Sequence, residues 1–209
     1  MTRTRLGALC LAAAAVLFVL YPAVRPWHDE TTQAGAVASM GSGGWVASHL
    51  FAMLGFILVP LGLLALRTAL ATHTERLALT AAVTSWIGAG LTLPYYGAED
   101  FGLYAVARAA AGGAAIDVPA VADAFHFQPV AATVFLLGLL GIGAGAVLAA
   151  VAVWRSETLN RSSGIPYALG FALFIPQFFT PPAVRIGHGV LVGIGCAWLA
   201  WELWRAPRR

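Results

Sequence analysis

Two imidazoles lie inside apolar runs: His49 in the stretch 45–66, and His188 in Arg185-Ile186-Gly187-His188-Gly189 at the start of the last apolar run. An ionisable side chain in hydrocarbon is costly, so each asks for a partner. Both stand a little more than one helical turn from the same end of their runs, roughly 7 Å below one interface at the helical rise per residue. Arg185 is one turn from His188 on the same helical face. Gln177 closes the preceding apolar run, Glu99 follows another, and His126 precedes a third. His49, Glu99, His126, Gln177, Arg185 and His188 therefore make up a candidate ligand-binding pocket opening to one side of a membrane.

Three kinds of chemistry fit these residue types. His49, His188 and either Glu99 or His126 would supply the nitrogen and oxygen ligands that suit zinc, with an open position for water. His49 and His188 would also serve as axial ligands of a haem b, with Gly189 and Gly193 clearing room for the ring and Arg185 near the propionates. A carboxylate and imidazoles at one depth would instead relay protons or bind a small polar solute. Against all three stands interhelical hydrogen bonding and snorkelling, a common use of polar groups near span ends. No H-E-x-x-H or comparable motif fixes a reaction, so no catalytic residue is assigned. The metal and haem readings require that the side chains of His49 and His188 approach each other, with Glu99 or Gln177 bordering the same cavity.

The elements that must position these groups follow from composition. The chain has 209 residues, of which 60% are hydrophobic and 10% charged, with a mean hydropathy of +0.81. Soluble domains carry roughly 25% charged residues, so this is the composition of a multi-pass membrane protein. The length accommodates about six spans of roughly 20 residues and no separate soluble domain. Cys10 and Cys196 both fall in apolar runs and imply neither a disulfide framework nor a thiolate metal site.

We expect an all-α, polytopic transmembrane helix bundle forming a single domain over 1–209. The spans fall at about 6–24, 45–66, 77–95, 129–154, 165–179 and 183–204, with an outer cap at 97–128. Arg3 and Arg5 before an apolar run are also the layout of a signal peptide, which would leave five spans. The poor cleavage site after this run, with Tyr21-Pro22 and Trp27 at its exit, favours an uncleaved anchor. The stretch 25–44 is polar and glycine-rich and reads as an exposed loop. Pro60 should kink the second span. In the cap, Leu103 to Ala111 is alanine-rich and Asp117-Val118-Pro119 is an N-cap followed by proline, which together give two short helices parted by Gly112-Gly113. Gly141, Gly143 and Gly145 give the fourth span a face for close helix contact, and a homo-oligomer is a separate expectation. Thr180-Pro181-Pro182 is so short a turn that the fifth and sixth spans must be antiparallel neighbours.

Arginine sets the expected orientation. All twelve basic residues are arginine. With a cytoplasmic N-terminus, nine lie inside (Arg3, Arg5, Arg67, Arg76, Arg155, Arg161, Arg205, Arg208, Arg209) and three outside (Arg25, Arg108, Arg185). Both termini are then cytoplasmic. His28 and His73 are loop histidines, with His73 on the far side from the candidate pocket. The partner implied is the lipid bilayer. Nothing points to nucleic acid, and Gly141-Ile142-Gly143-Ala144-Gly145 has no strand before it and lies in a span, which excludes a nucleotide-binding loop.

The phrases Leu93-Pro94-Tyr95-Tyr96-Gly97-Ala98-Glu99, Pro176-Gln177-Phe178-Phe179 and Arg185-Ile186-Gly187-His188-Gly189 resemble those of uncharacterised multi-pass integral membrane proteins of actinobacteria. The resemblance implies a bacterial cytoplasmic membrane and carries no assigned activity.

Overall fold

A computed structural model describes residues 3–70 and 72–206. The C-terminal Arg208 and Arg209, part of the arginine argument, lie outside the described residues. The fold is all-α. Its helices are α1 (Arg3–Val24), α2 (Gln33–Met40), α3 (Gly43–Ala69), α4 (Glu75–Gly97), α5 (Leu103–Ala111), α6 (Val118–His126), α7 (Pro129–Ser156), α8 (Gly164–Ala172), α9 (Phe174–Gln177) and α10 (Pro182–Arg205). Five are long and apolar enough to cross a membrane: α1, α3, α4 as part of the continuous helical run Thr72–Ala111, α7 and α10.

The expected span 165–179 is not one helix. It breaks at Leu173 into α8 and α9, because Pro176 has no N–H to donate to the carbonyl four residues before it. The broken element still runs antiparallel to α10. Gly195 of α10 lies against Tyr167, Val192 against Gly170, and Arg185 reaches the Phe178 carbonyl.

Among the described residues, α1, α3, α4, α7, α8 with α9, and α10 close into a ring, each packed on the next and α10 returning to α1. Hydrocarbon offers helices no hydrophobic drive to associate, so contact depends on close packing of small residues. A Cβ added at Gly88 of α4 would lie 2.6 Å from the Gly138 carbonyl oxygen of α7. One added at Gly62 of α3 would lie 2.4 Å from Leu11 of α1. On α7, Gly138, Gly141 and Gly145 face α4, whereas Gly143 faces Phe171 and Ala172. The expected contact face is thus spent inside the chain. Aromatic rings fill the centre: Phe18 meets Phe56, Phe171 and Phe174 edge-on at 5.1, 5.4 and 6.0 Å, and Phe56 meets Tyr96 at 5.7 Å.

The two ends of the ring differ. At one, the Arg5 guanidinium lies 5.1 Å from the Trp204 ring, so the first and last helices end together. Arg67 pairs with Glu75 there, and His73 Nε2 lies 3.1 Å from the Arg155 carbonyl oxygen. The other end carries a cap of α2, α5 and α6. Its core of Ala36, Met40, Trp45, Leu103, Ala107, Val118 and Ala122 is separate from that of the ring. The stretch 25–44 is therefore not simply an exposed loop. Thr32 caps α2 by accepting from the Gly35 N–H. Ala36 and Met40, one turn apart, then enter the cap core. Gln33 clasps the α5–α6 connection, donating to the Ile116 carbonyl and accepting from the Val118 N–H, both at 2.9 Å.

Candidate functional site

Where cap meets ring, imidazoles from two helices face one carboxylate oxygen of a third element. Ser42 caps α3 by accepting from the Trp45 N–H. One turn later His49 points inward, only 1% exposed. Its Nδ1 lies 2.8 Å from the Trp45 carbonyl oxygen, which also accepts the Ser48 hydroxyl at 2.8 Å. Rings close around it: Trp45 at 4.3 Å between centroids, Tyr96 at 5.9 Å and Tyr21 at 6.0 Å. The Tyr96 hydroxyl donates to that of Tyr21 at 3.2 Å.

The carboxylate comes from a π turn, Ala98–Gly102, that joins α4 to α5. The wider turn shifts the register of the helix face by a residue, an arrangement found mostly as single turns and frequently at functional sites. Glu99 Oε1 lies 3.2 Å from His126 Nε2 and 3.9 Å from His49 Nε2. The next residue, Asp100, is fully buried, and neither of its oxygens has a hydrogen-bond partner among the described residues. Buried polar groups are normally hydrogen-bonded, so Asp100 stands out among the groups around Glu99.

His126 ends α6. The Tyr95 hydroxyl donates to its carbonyl at 3.4 Å, and Tyr95 stacks on Phe135 of α7 at 4.1 Å. Burial works against the charged imidazolium of His126, but the hydrogen bond from its ring to Glu99 and the carboxylate charge outweigh it. Its pKa is held above the ordinary histidine value. Arg25 completes the neighbourhood, paired to Glu30 at 3.0 Å and lying over Trp27 and Trp45 at 4.6 and 5.0 Å.

The other expected site residues form a separate group. His188 Nε2 lies 2.7 Å from the Gly170 carbonyl oxygen, at the end of α8 where Leu173 interrupts the helix. Its ring meets Phe174 edge-on at 5.1 Å. Arg185 donates to the Phe178 carbonyl and lies 5.3 Å from the Trp27 ring. Gln177 and His188 border an open groove of about 420 Å³ whose other walls include Leu173, Pro176, Val184 and Leu191.

The arrangement of the ring explains the division. The expected approach of His49 to His188 required α3 and α10 to be close neighbours along their length, but α1 lies between them. Gly189 and Gly193 clear room for α1 and not for a porphyrin: an added Cβ would lie 2.6 Å from Pro22 at the first and 2.6 Å from Val19 at the second. Tyr21, Phe18 and Phe174 occupy the space between the two imidazoles. The haem b reading therefore has neither facing ligands nor space. The zinc set of His49, His188 and Glu99 is not assembled, since His188 is turned to a backbone carbonyl. Among the described residues, no group of three or more His, Cys, Asp or Glu side chains is arranged to hold a metal ion.

Of the residues expected to share a pocket, the structure brings together Glu99, His49 and His126, and beside them stand Asp100, Trp45 and the tyrosines, which were not among those expected. The adjacent pair Glu99-Asp100 directly after Tyr95-Tyr96 was the available signal. No protein-family model matches the chain, and no curated protein or solved structure matches it.

Proposed function

We propose that the protein is an integral membrane protein that binds protons or a small cationic or hydrogen-donating solute at the capped end of its bundle. The observation that carries this reading is the cluster itself: Glu99 shares one oxygen between imidazoles from α3 and α6, beside a buried Asp100 whose oxygens have no partner. Acceptors outnumber donors there, which selects a ligand that brings positive charge or N–H and O–H groups. Thermal unfolding of the detergent-solubilised protein tests it, across pH and with added alkali, ammonium and guanidinium cations. Stabilisation by protons or one of these cations that disappears in Glu99→Gln is expected; equal stabilisation in both proteins, or none in either, overturns it.

The orientation belongs to the same proposal. The end that unites Arg5, Arg67, Arg155 and Arg205 is the cytoplasmic one by the positive-inside rule, which puts the cap and its cluster outside. The resemblance to membrane proteins of actinobacteria supports a bacterial cytoplasmic membrane. A reporter fused after Arg209 should be cytoplasmic and one inserted at Gly112-Gly113 external; the opposite result would reverse the side from which the site is reached.

A further inference from the structure

The hydrogen positions around His49 are over-determined. A backbone carbonyl only accepts, so the nitrogen 2.8 Å from the Trp45 oxygen, Nδ1, carries a hydrogen. Ser48 cannot alter this, because its own hydrogen goes to the same carbonyl. Nε2 is left as the nitrogen facing Glu99 Oε1 at 3.9 Å. In a neutral His49 that nitrogen is a bare lone pair pointing at a carboxylate oxygen, acceptor against acceptor, at a ring that is 1% exposed. His126 does not resolve the conflict, since its Nε2 hydrogen is spent on the other approach to Oε1. A proton between His49 and Glu99 removes the conflict, either on Nε2 as an imidazolium paired to the carboxylate or on the carboxyl group facing a neutral ring. Both arrangements contain the same number of protons.

We infer that the cluster is a proton store, in which one proton shared by His49 and Glu99 holds the cap on the bundle. This rests on the cluster being the binding site proposed above, and it names the ligand. Glu99 is where three parts of the molecule meet: His49 belongs to α3 of the ring, His126 to α6 of the cap, and the π turn itself connects ring helix α4 to cap helix α5. The other charged or titratable groups facing these three are Arg25 and Glu30 from the α1–α2 connection, Asp123 of α6, Tyr95, Tyr96 and Tyr21; Asp100 lies beside Glu99. The outermost member is His126, whose side chain is 29% exposed against 15% for Glu99 and 1% for His49. That gradient gives the route. Water delivers a proton to His126 Nδ1, the Nε2 hydrogen passes to Glu99, and Glu99 passes it to His49 Nε2; tautomer exchange of His126 through water then returns a hydrogen to its Nε2, and release is the reverse, with no heavy-atom bond made or broken. Once the proton has left, a buried carboxylate faces a lone pair, and the π turn relieves the repulsion by moving α5 and α6 away from α3.

The experiment is nitrogen NMR of the full chain in lipid nanodiscs, with ¹⁵N-labelled histidine and the His49 signals assigned by their loss in His49→Gln. Amide hydrogen exchange of Leu103–Ala111 and Val118–His126 is followed on the same samples. At pH 6 the His49 signals should show a hydrogen on Nδ1 and a second proton on, or shared with, Nε2. As this second proton is lost at higher pH, exchange in the cap should rise roughly tenfold above the intrinsic rate change, the factor that one pKa unit carries. In Glu99→Gln the amide can donate to Nε2, so His49 should stay neutral and cap exchange should no longer follow pH. A bare Nε2 opposite an ionised Glu99 at pH 6 in the wild type, the carboxyl state read from ¹³C-labelled glutamate, or cap exchange that ignores the His49 titration, overturns the inference. Should Glu99→Gln fail to fold, the wild-type titration alone decides. If His49 and the cap titrate together while no added cation stabilises the protein, the solute part of the binding reading fails and the proton store stands.

Discussion

His49 and His188 enter the bundle at similar distances from the capped end, and their surroundings give them opposite tasks. His49 lies on an unbroken helix; one ring nitrogen returns to its own helix at the Trp45 carbonyl and the other faces Glu99. His188 lies opposite a helix broken at Leu173, and its Nε2 goes to the exposed end of that break at Gly170. Arg185 behaves in the same way, directed to the Phe178 carbonyl. Each imidazole thus gives one nitrogen to a backbone carbonyl, and only His49 has a carboxylate facing the other. In the α8–α10 region the polar side chains complete a damaged helix, while at the cap they converge on a carboxylate.

The sharpest way to break this comparison is to remove the carboxylate. Glu99→Ala leaves two imidazoles in a largely buried site without their shared acceptor and should cost about 3 kcal/mol, at the lower bound for breaking a buried ion pair. A melt in detergent would show it as a marked fall in Tm together with loss of cap protection. A loss confined to a few tenths of a kcal/mol would mean that the cap is held by its apolar core alone. The second region answers to His188→Ala, which strands the Gly170 carbonyl. It should cost about 1–2 kcal/mol, the price of one buried unsatisfied acceptor, and leave the pH dependence of stability as it is in the wild type. A pH profile altered by His188→Ala would erase the distinction between the two histidines.

How far this division could be read in the sequence depends on what each residue's partner is. Spans show in composition because hydrocarbon imposes a local rule on every residue, and the capped end shows in the positions of Glu99 and His126 just outside two spans. The ring order does not show. Nothing near His49 or His188 says that α1 comes between α3 and α10, because that is settled by Gly55, Gly62, Gly189 and Gly193 acting jointly on α1. Pro176 lies in the expected fifth span, but the carbonyl recruited by His188 is six residues earlier, on the far side of the break. The inward aim of Asp100 depends on a π turn, which has no composition of its own to be recognised by.

A smaller effect separates the two histidines of the cap cluster by pH. The folded His126 pKa lies above the unfolded value, so its contribution is complete below the ordinary histidine range and is lost as pH climbs through the folded value. Stability should therefore fall by about 1 kcal/mol on going from pH 6 to pH 9, a charge-assisted hydrogen bond discounted for the partial exposure of the ring. His126→Ala should flatten that fall when chemical denaturation is compared across this range. An unchanged slope would place the whole pH response on His49 and remove His126 from the route.

The smallest effect belongs to His73, which makes the same kind of bond as His188 in a different solvent. Its Nε2 lies 3.1 Å from the Arg155 carbonyl oxygen, against 2.7 Å for His188 to Gly170, but His73 is exposed at the arginine-rich end whereas His188 lies half-buried in the bundle. When His73 is replaced by alanine, water can take its place on the carbonyl, and the net loss should be no more than about 0.5 kcal/mol. When His188 is replaced, the surroundings are Phe174, Leu173 and lipid, and no equivalent donor arrives. Melting curves of His73→Ala and His188→Ala under one set of conditions isolate the solvent around the bond as the variable. Equal losses would show that the bond at Gly170 is hydrated after all and that its depth in the bundle contributes nothing. A loss at His188 several times that at His73 would show that repair of the broken helix is worth a full buried hydrogen bond, which is why that imidazole cannot be spared for chemistry.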